Sequence, residues 1–318
     1  MKTVVWGGEK IAPFKGISTD QHNIGESWEL SGVKGNESVV SEGEFAGRTI
    51  TSLIEEFKGG LLGEKVYAAT GNEFPLLIKF IDARDDLSIQ VHPDDALAAE
   101  RHNSKGKTEM WYVVQADEKA HLMAGLKSEI SPDEYVKMVN DSTITDALMD
   151  FNVKEGDVFF LPAGRIHAIG TGCFIAEIQQ TSDITYRIYD YNRPGLDGKP
   201  RELHTELAKD AIDYKVYPEY KTEYECSANA ENLLVDCKYF TTSLFDLECE
   251  ITKDLSGIDS FMVAICIGGE GEVTISDSDG ISKSVKFVKG ETVLIPACAK
   301  SVTFSPSQRM KILSSYIG

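Results

Sequence analysis

The chain has 318 residues, and 42% of them are hydrophobic, which is ordinary for a globular protein and long enough for two domains with separate cores. Thirty-two basic and 51 acidic residues give a formal charge of −19, so nonspecific binding to nucleic acid or to an anionic membrane surface is not expected. An anionic ligand would need a local basic cluster to attract it against this field.

The N-terminus and the cysteines indicate a cytoplasmic protein. Residues 1–8 are too short and too soon interrupted by glycine to be a signal peptide, and no apolar run approaches the ~20 residues of a membrane helix. The six cysteines form no CxxC pair, which argues against a thiolate zinc site or a redox motif. We expect most of them to be buried free thiols.

Short apolar runs closed by glycine and polar turns predict strands along most of the chain. In chain order these runs are 76–81, 110–114, 158–161, 261–267 and 293–295. Helical patterns are confined to 93–100, to 202–214 and to a segment after Ser131, where proline and two acidic residues form a helix start that continues through Val139. The pattern predicts a mainly β, antiparallel protein with small helical insertions.

A weak internal repeat indicates two related barrels. The spacing Gly156-x5-Pro-x-Gly-x2-His167 has a counterpart from Gly290 to Ser301, where the first glycine and the proline are kept and the histidine is replaced. Each copy is a strand entered at a glycine and left at a proline, as at a barrel corner. We therefore expect a catalytic domain over 1–225 and a degenerate β domain without metal ligands over 226–318.

Candidate metal ligands lie on three strands of the first half. Side chains two apart share a strand face, so Gln90 and His92 can reach one ion, and Glu109 lies on the next strand. Taken alone, each of these strands favours the structural alternative, which is a strand with one solvated face. His167, after its proline-glycine turn, strengthens the metal interpretation, because polar side chains inside a small barrel need a partner. The mixed nitrogen and oxygen set suits zinc, with manganese, iron or cobalt as alternatives.

The stretch from Cys173 to Asp190 is unusually polar for a strand sequence. Glu177 is a candidate acid or base, and Arg187 is a candidate for holding a phosphate or stabilising charge on oxygen. The structural alternative is a cross-strand ion pair between Glu177 and Arg187.

In combination these motifs resemble the type I mannose-6-phosphate isomerases of the cupin superfamily, in their short bacterial form. The stretch ending at His167 resembles the second cupin motif, and Gln90-Val-His92 replaces the usual pair of histidines as in this family. Trp6-Gly-Gly8 and Gly25–Glu29 are similar to its N-terminal motifs. The resemblance covers essentially the whole chain.

The resemblance implies two cupin-like jelly-roll β-barrels and an isomerase that interconverts mannose 6-phosphate and fructose 6-phosphate through an enediol. It also implies one zinc ion bound by the set Gln90, His92, Glu109 and His167, with Arg187, Lys107 and Glu177 as catalytic residues and Ser88, Lys107 and Arg187 as substrate-binding residues. Sequence does not choose between Glu177 and Lys107 for proton transfer. The expected partner is a phosphorylated hexose, with no nucleic acid and no membrane, and the expected state is a monomer or weak homodimer.

Two departures concern substrate contacts. Long forms have Lys-Pro-Glu where this chain has Lys107-Thr-Glu109, and a tyrosine where it has Ile169. Two alternatives remain open: a cupin oxygenase holding iron through two histidines and a carboxylate, and a non-catalytic sugar-binding protein with a structural metal. Glutamine as a fourth ligand and the Lys-x-Glu pattern speak against the oxygenase.

Overall fold

The computed structural model describes residues 1–318 and is mainly β, as predicted. The strands before residue 223 are β1 (Lys2–Gly8), β2 (Ile24–Ser31), β3 (Leu76–Asp82), β4 (Ile89–Val91), β5 (Glu109–Ala116), β6 (His121–Leu126), β7 (Leu148–Asn152), β8 (Val158–Leu161), β9 (His167–Ile169), β10 (Cys173–Gln180), β11 (Tyr186–Tyr189) and β12 (Lys221–Thr222). The later strands are β13 (Glu231–Asp236), β14 (Thr241–Leu247), β15 (Ile251–Asp254), β16 (Met262–Gly268), β17 (Glu270–Ser276), β18 (Ser282–Val288), β19 (Thr292–Ile295), β20 (Ser301–Pro306) and β21 (Met310–Tyr316).

The helices are few and short. They are α1 (Ile11–Phe14), α2 (Ile50–Phe57), α3 (Gly59–Leu62), α4 (Glu64–Thr70), α5 (Asp95–His102), α6 (Pro132–Asn140) and α7 (Thr205–Ala211), with one 3-10 turn at Ile144–Ala147. None combines the length and the apolar character that crossing a membrane would require.

The sheets are antiparallel and open rather than closed into barrels. One seven-stranded sheet has the order β1-β2-β3-β10-β5-β8-β12, and one five-stranded sheet has the order β11-β4-β9-β6-β7. Trp111 and Phe159 from the first and Leu122 and Ile169 from the second share one apolar core. Two further sheets, β13-β14-β21-β16-β19 and β15-β20-β17-β18, share a core that includes Phe245. The mainly β fold class is confirmed.

The chain forms two compact units. The first contains residues 1–13, 17–28 and 77–222, and the second contains residues 14–16, 29–76 and 223–318. Within the second unit, the Ala297 N–H donates to the Leu61 carbonyl at 2.9 Å, and the Phe74 ring packs 4.7 Å from the Phe261 ring. These contacts hold residues 29–76 in that unit. The domain boundary expected at residue 225 stays a prediction.

Each predicted helix exists, with shifted bounds. At α6 the Ser131 side chain accepts from the Glu134 N–H, and the Glu134 carboxylate accepts from the Ser131 N–H, so the expected start is a capping box. Helix α7 is shorter than the predicted 202–214, and the residues that flank it bind other segments: the His204 N–H donates to the Arg187 carbonyl at 2.7 Å, and the Asp213 N–H donates to the Gly164 carbonyl at 2.8 Å.

The sequence analysis missed α2, α3 and α4. These helices span residues 50–70 and are separated at Lys58 and Gly63, and α3 itself begins with Gly59 and Gly60. The glycines break the hydrophobic period that marks a helix.

The prediction for the cysteines is wrong in part. Cys173 and Cys266 are buried, Cys237 is half-buried, and the other three are exposed. The reason is that those three lie at polar loops rather than inside strands.

The internal repeat is visible in the backbone of both units. Gly156 and Gly290 both have φ near +90° (90° and 89°), a region that favours glycine. The Gly156 N–H donates to Val113 on β5 at 2.9 Å, and the Gly290 N–H donates to Cys266 on β16 at 2.8 Å. The same turn therefore enters β8 and β19, with His167 after one copy and Ser301 after the other.

Candidate metal centre and active site

Three polar side chains lie in one row across the five-stranded sheet. Arg187 on β11 pairs with Gln90 on β4, and Gln90 pairs with His167 on β9. Directly paired residues present their side chains to the same sheet face. On the opposite face of β4, Ile89 and Val91 pack in an apolar core with α6 and α7 residues. The alternation predicted for this strand therefore turns Gln90 and His92 away from that core.

The seven-stranded sheet contributes a second polar group. Glu109 on β5 lies beside Gln179 on β10, and Trp111 lies beside Glu177. Glu109 and Glu177 are at most 2% exposed. A carboxylate at such depth needs a cation or hydrogen-bond donors, because burial of an unpaired charge is costly.

His92, Glu109 and His167 form a buried cluster, with candidate ligand atoms within 4.8 Å of one another. Glu109 Oε1 lies 3.3 Å from His167 Nε2, and Glu109 Oε2 lies 3.5 Å from His92 Nε2. The two imidazole rings are 4.9 Å apart. One carboxylate and two ring nitrogens therefore face a common point, as the sequence analysis expected.

Both imidazoles are held in the tautomer that a metal requires. His92 Nδ1 donates to the Ile184 carbonyl at 2.9 Å, and His167 Nδ1 donates to the Arg165 carbonyl at 2.8 Å. Burial lowers the pKa of His167 to about 3 and that of His92 well below its usual value, so both rings are neutral. The Nε2 lone pairs then point inward, which is the usual arrangement of a metal-binding histidine.

The buried carboxylate of Glu109 also fits a metal ligand. Burial, together with the charge of Glu177, raises the pKa of Glu109, and its Oε1 receives no hydrogen bond. A divalent cation at the common point would satisfy this oxygen and both Nε2 lone pairs at once. Two neutral imidazoles and a carboxylate suit zinc and similar ions, so the residues fit.

Gln90 and Ser88 lie beside this cluster. The Gln90 amide is 3.3 Å from His167 Nε2, so a rotated amide oxygen has access to the same point. Ser88 is 4% exposed and lies two residues before Gln90.

Lys107 lies in the middle of the site. Its Nζ is 3.1 Å from His92 Nε2, 2.8 Å from Glu109 Oε2 and 3.9 Å from Glu177 Oε1. The lysine and the carboxylate of the Lys-x-Glu pattern therefore meet in one buried volume.

Glu177 has partners that the sequence analysis did not foresee. Its Oε1 accepts from Lys79 Nζ at 2.9 Å, and its Oε2 accepts from Trp111 Nε1 at 2.9 Å. Although burial raises the pKa of Glu177, the charges of Lys79 and Lys107 outweigh it and lower that pKa to about 2. The carboxyl is therefore ionised. The cross-strand pair with Arg187 is absent because β10 and β11 belong to different sheets.

The chain matches proteins of one known family. A model of the phosphomannose isomerase type I catalytic domain matches residues 1–123. The chain is 34% identical to mannose-6-phosphate isomerase ManA of Bacillus subtilis, over 93% of this chain and 90% of that protein. It is 31% identical to the mannose-6-phosphate isomerase of Streptococcus mutans, over 99% and 96% of the two chains. The chain belongs to the mannose-6-phosphate isomerase family.

A solved structure agrees with this membership. The crystal structure of the mannose 6-phosphate isomerase from Bacillus subtilis superposes with a TM-score of 0.86 at 31% identity, covering 99% of this chain and 96% of that one. A variant of phosphomannose isomerase from Salmonella typhimurium, at 17% identity and a TM-score of 0.78 over 99% and 97% of the chains, shows the shared fold alone.

One residue of this family member was missed from sequence. Lys79 is 7% exposed and lies on β3 within the run Leu76-Leu-Ile-Lys-Phe-Ile81. A lysine inside such an apolar run is the signal that was available, because a buried ammonium almost always has a carboxylate partner. Here that partner is Glu177, next to the metal cluster.

Proposed function

We propose that the chain interconverts mannose 6-phosphate and fructose 6-phosphate, using one zinc ion held by Gln90, His92, Glu109 and His167. The observation that carries the proposal is the buried cluster of two neutral imidazoles and a carboxylate without a hydrogen-bond donor on Oε1, in a chain of this family. When bound, zinc supplies Lewis-acid polarisation of the sugar's carbonyl oxygen.

The isomerisation moves a proton between C1 and C2 through an enediol, so a side chain must carry that proton. Both Glu177 oxygens already accept hydrogen bonds, from Lys79 and Trp111. We therefore assign the proton transfer to Lys107, which takes the proton from one carbon as the neutral amine and returns it to the other carbon as the ammonium. We assign Glu177, 3.9 Å from its Nζ, the role of stabilising the ammonium form.

Arg187 is the residue we assign to the anionic part of the substrate. It lies in the same row as Gln90 and His167, and its Nε is buried without a hydrogen-bond partner. A guanidinium binds phosphate oxygens and developing oxyanions through charge-assisted hydrogen bonds. Ser88, two residues before Gln90, is the hydroxyl we assign to the substrate.

The first test is a coupled assay in both directions together with metal analysis of protein purified without added metal. Turnover with stoichiometric zinc supports the proposal. Oxygen uptake with bound iron would support the oxygenase instead, and sugar binding without turnover would support the non-catalytic alternative.

Removing a ligand histidine tests whether isomerase activity depends on the bound metal. His167→Ala or His92→Ala is expected to lose bound metal and isomerase activity together, because each removes one of the few nitrogen ligands. The control is His22→Ala, which changes an exposed histidine on a loop and should keep both. Full turnover in metal-free His167→Ala protein contradicts the scheme.

Arg187→Ala is expected to keep its metal and to lose about 10- to 100-fold in kcat/KM, because hydrogen bonds to the charged group of the substrate are worth about 1.5–3 kcal/mol. Steady-state kinetics with metal analysis measures both. A value near that of the unmodified enzyme would assign Arg187 to structure alone.

We propose a cytoplasmic monomer or weak homodimer. Light scattering across a range of concentrations and cell fractionation measure these two properties directly.

A further inference from the structure

We propose that Asp190 is a positioning residue that folds the loop 190–204 so that the Arg187 guanidinium is presented to the anionic group of the substrate. This inference rests on the proposed function, because it takes Arg187 as the residue that meets that group. It assigns to Asp190, Arg193 and Arg201 a role in substrate affinity rather than in the chemical step.

Asp190 holds two arginines with one buried carboxylate. It is 4% exposed and follows β11 directly. Its Oδ2 accepts from Arg201 Nε at 2.7 Å, and its Oδ1 accepts from Arg201 and Arg193 at 2.6 and 2.9 Å. The fork of Arg201 thus binds both oxygens, the geometry with the highest directional specificity among ion pairs.

The loop between these arginines is tightly folded. Tyr191 and Asn192 both have left-handed backbones, with φ of 55° and 52°. The Gly195 N–H donates to the Lys199 carbonyl at 2.6 Å, and Pro194 and Pro200 form an antiparallel bridge. Two consecutive non-glycine residues in this region are strained, so contacts such as the Asp190 pairs must hold the loop in place.

The segment 202–204, which ends the loop, holds Arg187 by three hydrogen bonds. Directly after Arg201, the Glu202 carbonyl accepts from Arg187 Nη1 at 3.0 Å. The His204 N–H donates to the Arg187 carbonyl at 2.7 Å, and the Arg187 N–H donates to His204 Nδ1 at 3.1 Å. The orientation of the guanidinium therefore depends on a segment that the Asp190–Arg201 pair anchors.

The cluster also concentrates positive charge in an acidic chain. Arg187, Arg193 and Arg201 lie around the Asp190 carboxylate, and the charge of Glu202 also acts on Arg187, so three cationic groups face two anionic ones in a chain that carries −19 overall. Burial, with the neighbouring charges of Arg201 and Arg193 and opposed by those of Asp190 and Glu202, lowers the pKa of Arg187. This is the local basic cluster that an anionic ligand requires here.

The test is Asp190→Asn, which keeps the shape and removes the charge. We expect the KM for mannose 6-phosphate and the inhibition constant of inorganic phosphate to rise together by about 10-fold, with kcat changed less than about 3-fold, because uniform binding is lost rather than transition-state stabilisation. Zinc content should stay stoichiometric. Arg201→Lys, which keeps the charge but loses the fork, should give a smaller rise and serves if Asp190→Asn does not fold.

The matched control is Asp197→Asn, the same chemical change at an exposed position of the same loop, where the carboxylate only accepts from the Lys199 N–H. It should leave both constants unchanged. Unchanged constants in folded Asp190→Asn, or a loss confined to kcat, overturn the inference. If Arg187→Ala leaves phosphate inhibition unchanged, the assignment of Arg187 itself fails, which is a separate outcome.

Discussion

The most consequential residue outside the metal cluster is Lys79. It lies on a strand buried along its whole length, and its Nζ pairs with Glu177 Oε1 at 2.9 Å. Although burial lowers the pKa of Lys79, the Glu177 carboxylate more than compensates and raises it, so the ammonium stays charged. Each charge therefore offsets the desolvation cost of burying the other.

We expect the Lys79–Glu177 pair to show strong coupling in stability. Lys79→Met leaves buried Glu177 without the cation that donates a hydrogen bond to it and should cost about 3 kcal/mol, the lower end of the usual effect of breaking a buried pair from one side, because Lys107 stays 3.9 Å away. The double variant Lys79→Met with Glu177→Gln should cost less than the sum of the two single changes. Urea denaturation measures all three.

Lys209→Met is the control for this cycle, because its pair with Asp133 is largely exposed and should contribute little to stability. Additive costs for Lys79 and Glu177 would show that the two side chains do not depend on each other.

At the scale of elements, one histidine joins three pieces of the first unit. His121 begins β6, and its ring lies 2.9 Å from Asp150 on β7 and 3.2 Å from Asp86 in the loop before β4. The hydrogen bond with Asp86, helped by Asp150 and opposed by burial, raises the pKa of His121 to about 9. The charged ring therefore stabilises this edge of the five-stranded sheet.

The contribution of His121 should depend on pH. Its folded pKa lies above the unfolded value of 6.5, so the stabilisation is complete below about pH 6.5 and is lost as the pH rises through about 9. We expect His121→Asn to cost about 1 kcal/mol at pH 6, allowing for the exposure of Asp150, and little at pH 10.

Denaturant titrations at both pH values check this expectation, with His22→Asn as the exposed control. An effect of His121→Asn that is equal at pH 6 and pH 10 would mean that the ring acts through packing rather than charge.

At the scale of the whole molecule, the metal cluster connects two sheets of the first unit. Glu109 comes from the seven-stranded sheet, whereas His167 comes from the five-stranded one. A cation held between them stabilises the folded state by its binding free energy, since the unfolded chain offers no preformed site.

Chelation should therefore lower the melting temperature. At a free metal concentration of 100 Kd the stabilisation is about 2.7 kcal/mol, which corresponds to roughly 4 °C for a chain of this size. Calorimetry with and without chelator measures the shift, and His167→Ala protein should show none. An unchanged melting temperature in chelated, metal-free protein contradicts the idea that the site joins the sheets.

Much of the site could be predicted because it lies on strands with strict alternation. Strand alternation requires Gln90 and His92 to share a face. The turn at Gly156 is repeated at Gly290 without the histidine, which indicates that the turn belongs to the fold and His167 to the site. The domain boundary and α2 to α4 were harder, because glycines hide the helical period and long-range contacts place residues 29–76.

The sequence by itself determined the fold class, the family and the candidate ligands, because strand period and motif spacing are local properties of the chain. Only the tertiary structure decided which charges meet: Glu177 with Lys79 rather than Arg187, and Arg187 with a segment anchored by Asp190. Pairing between distant strands and the return path of a loop depend on how separate sheets pack, and no local pattern encodes that.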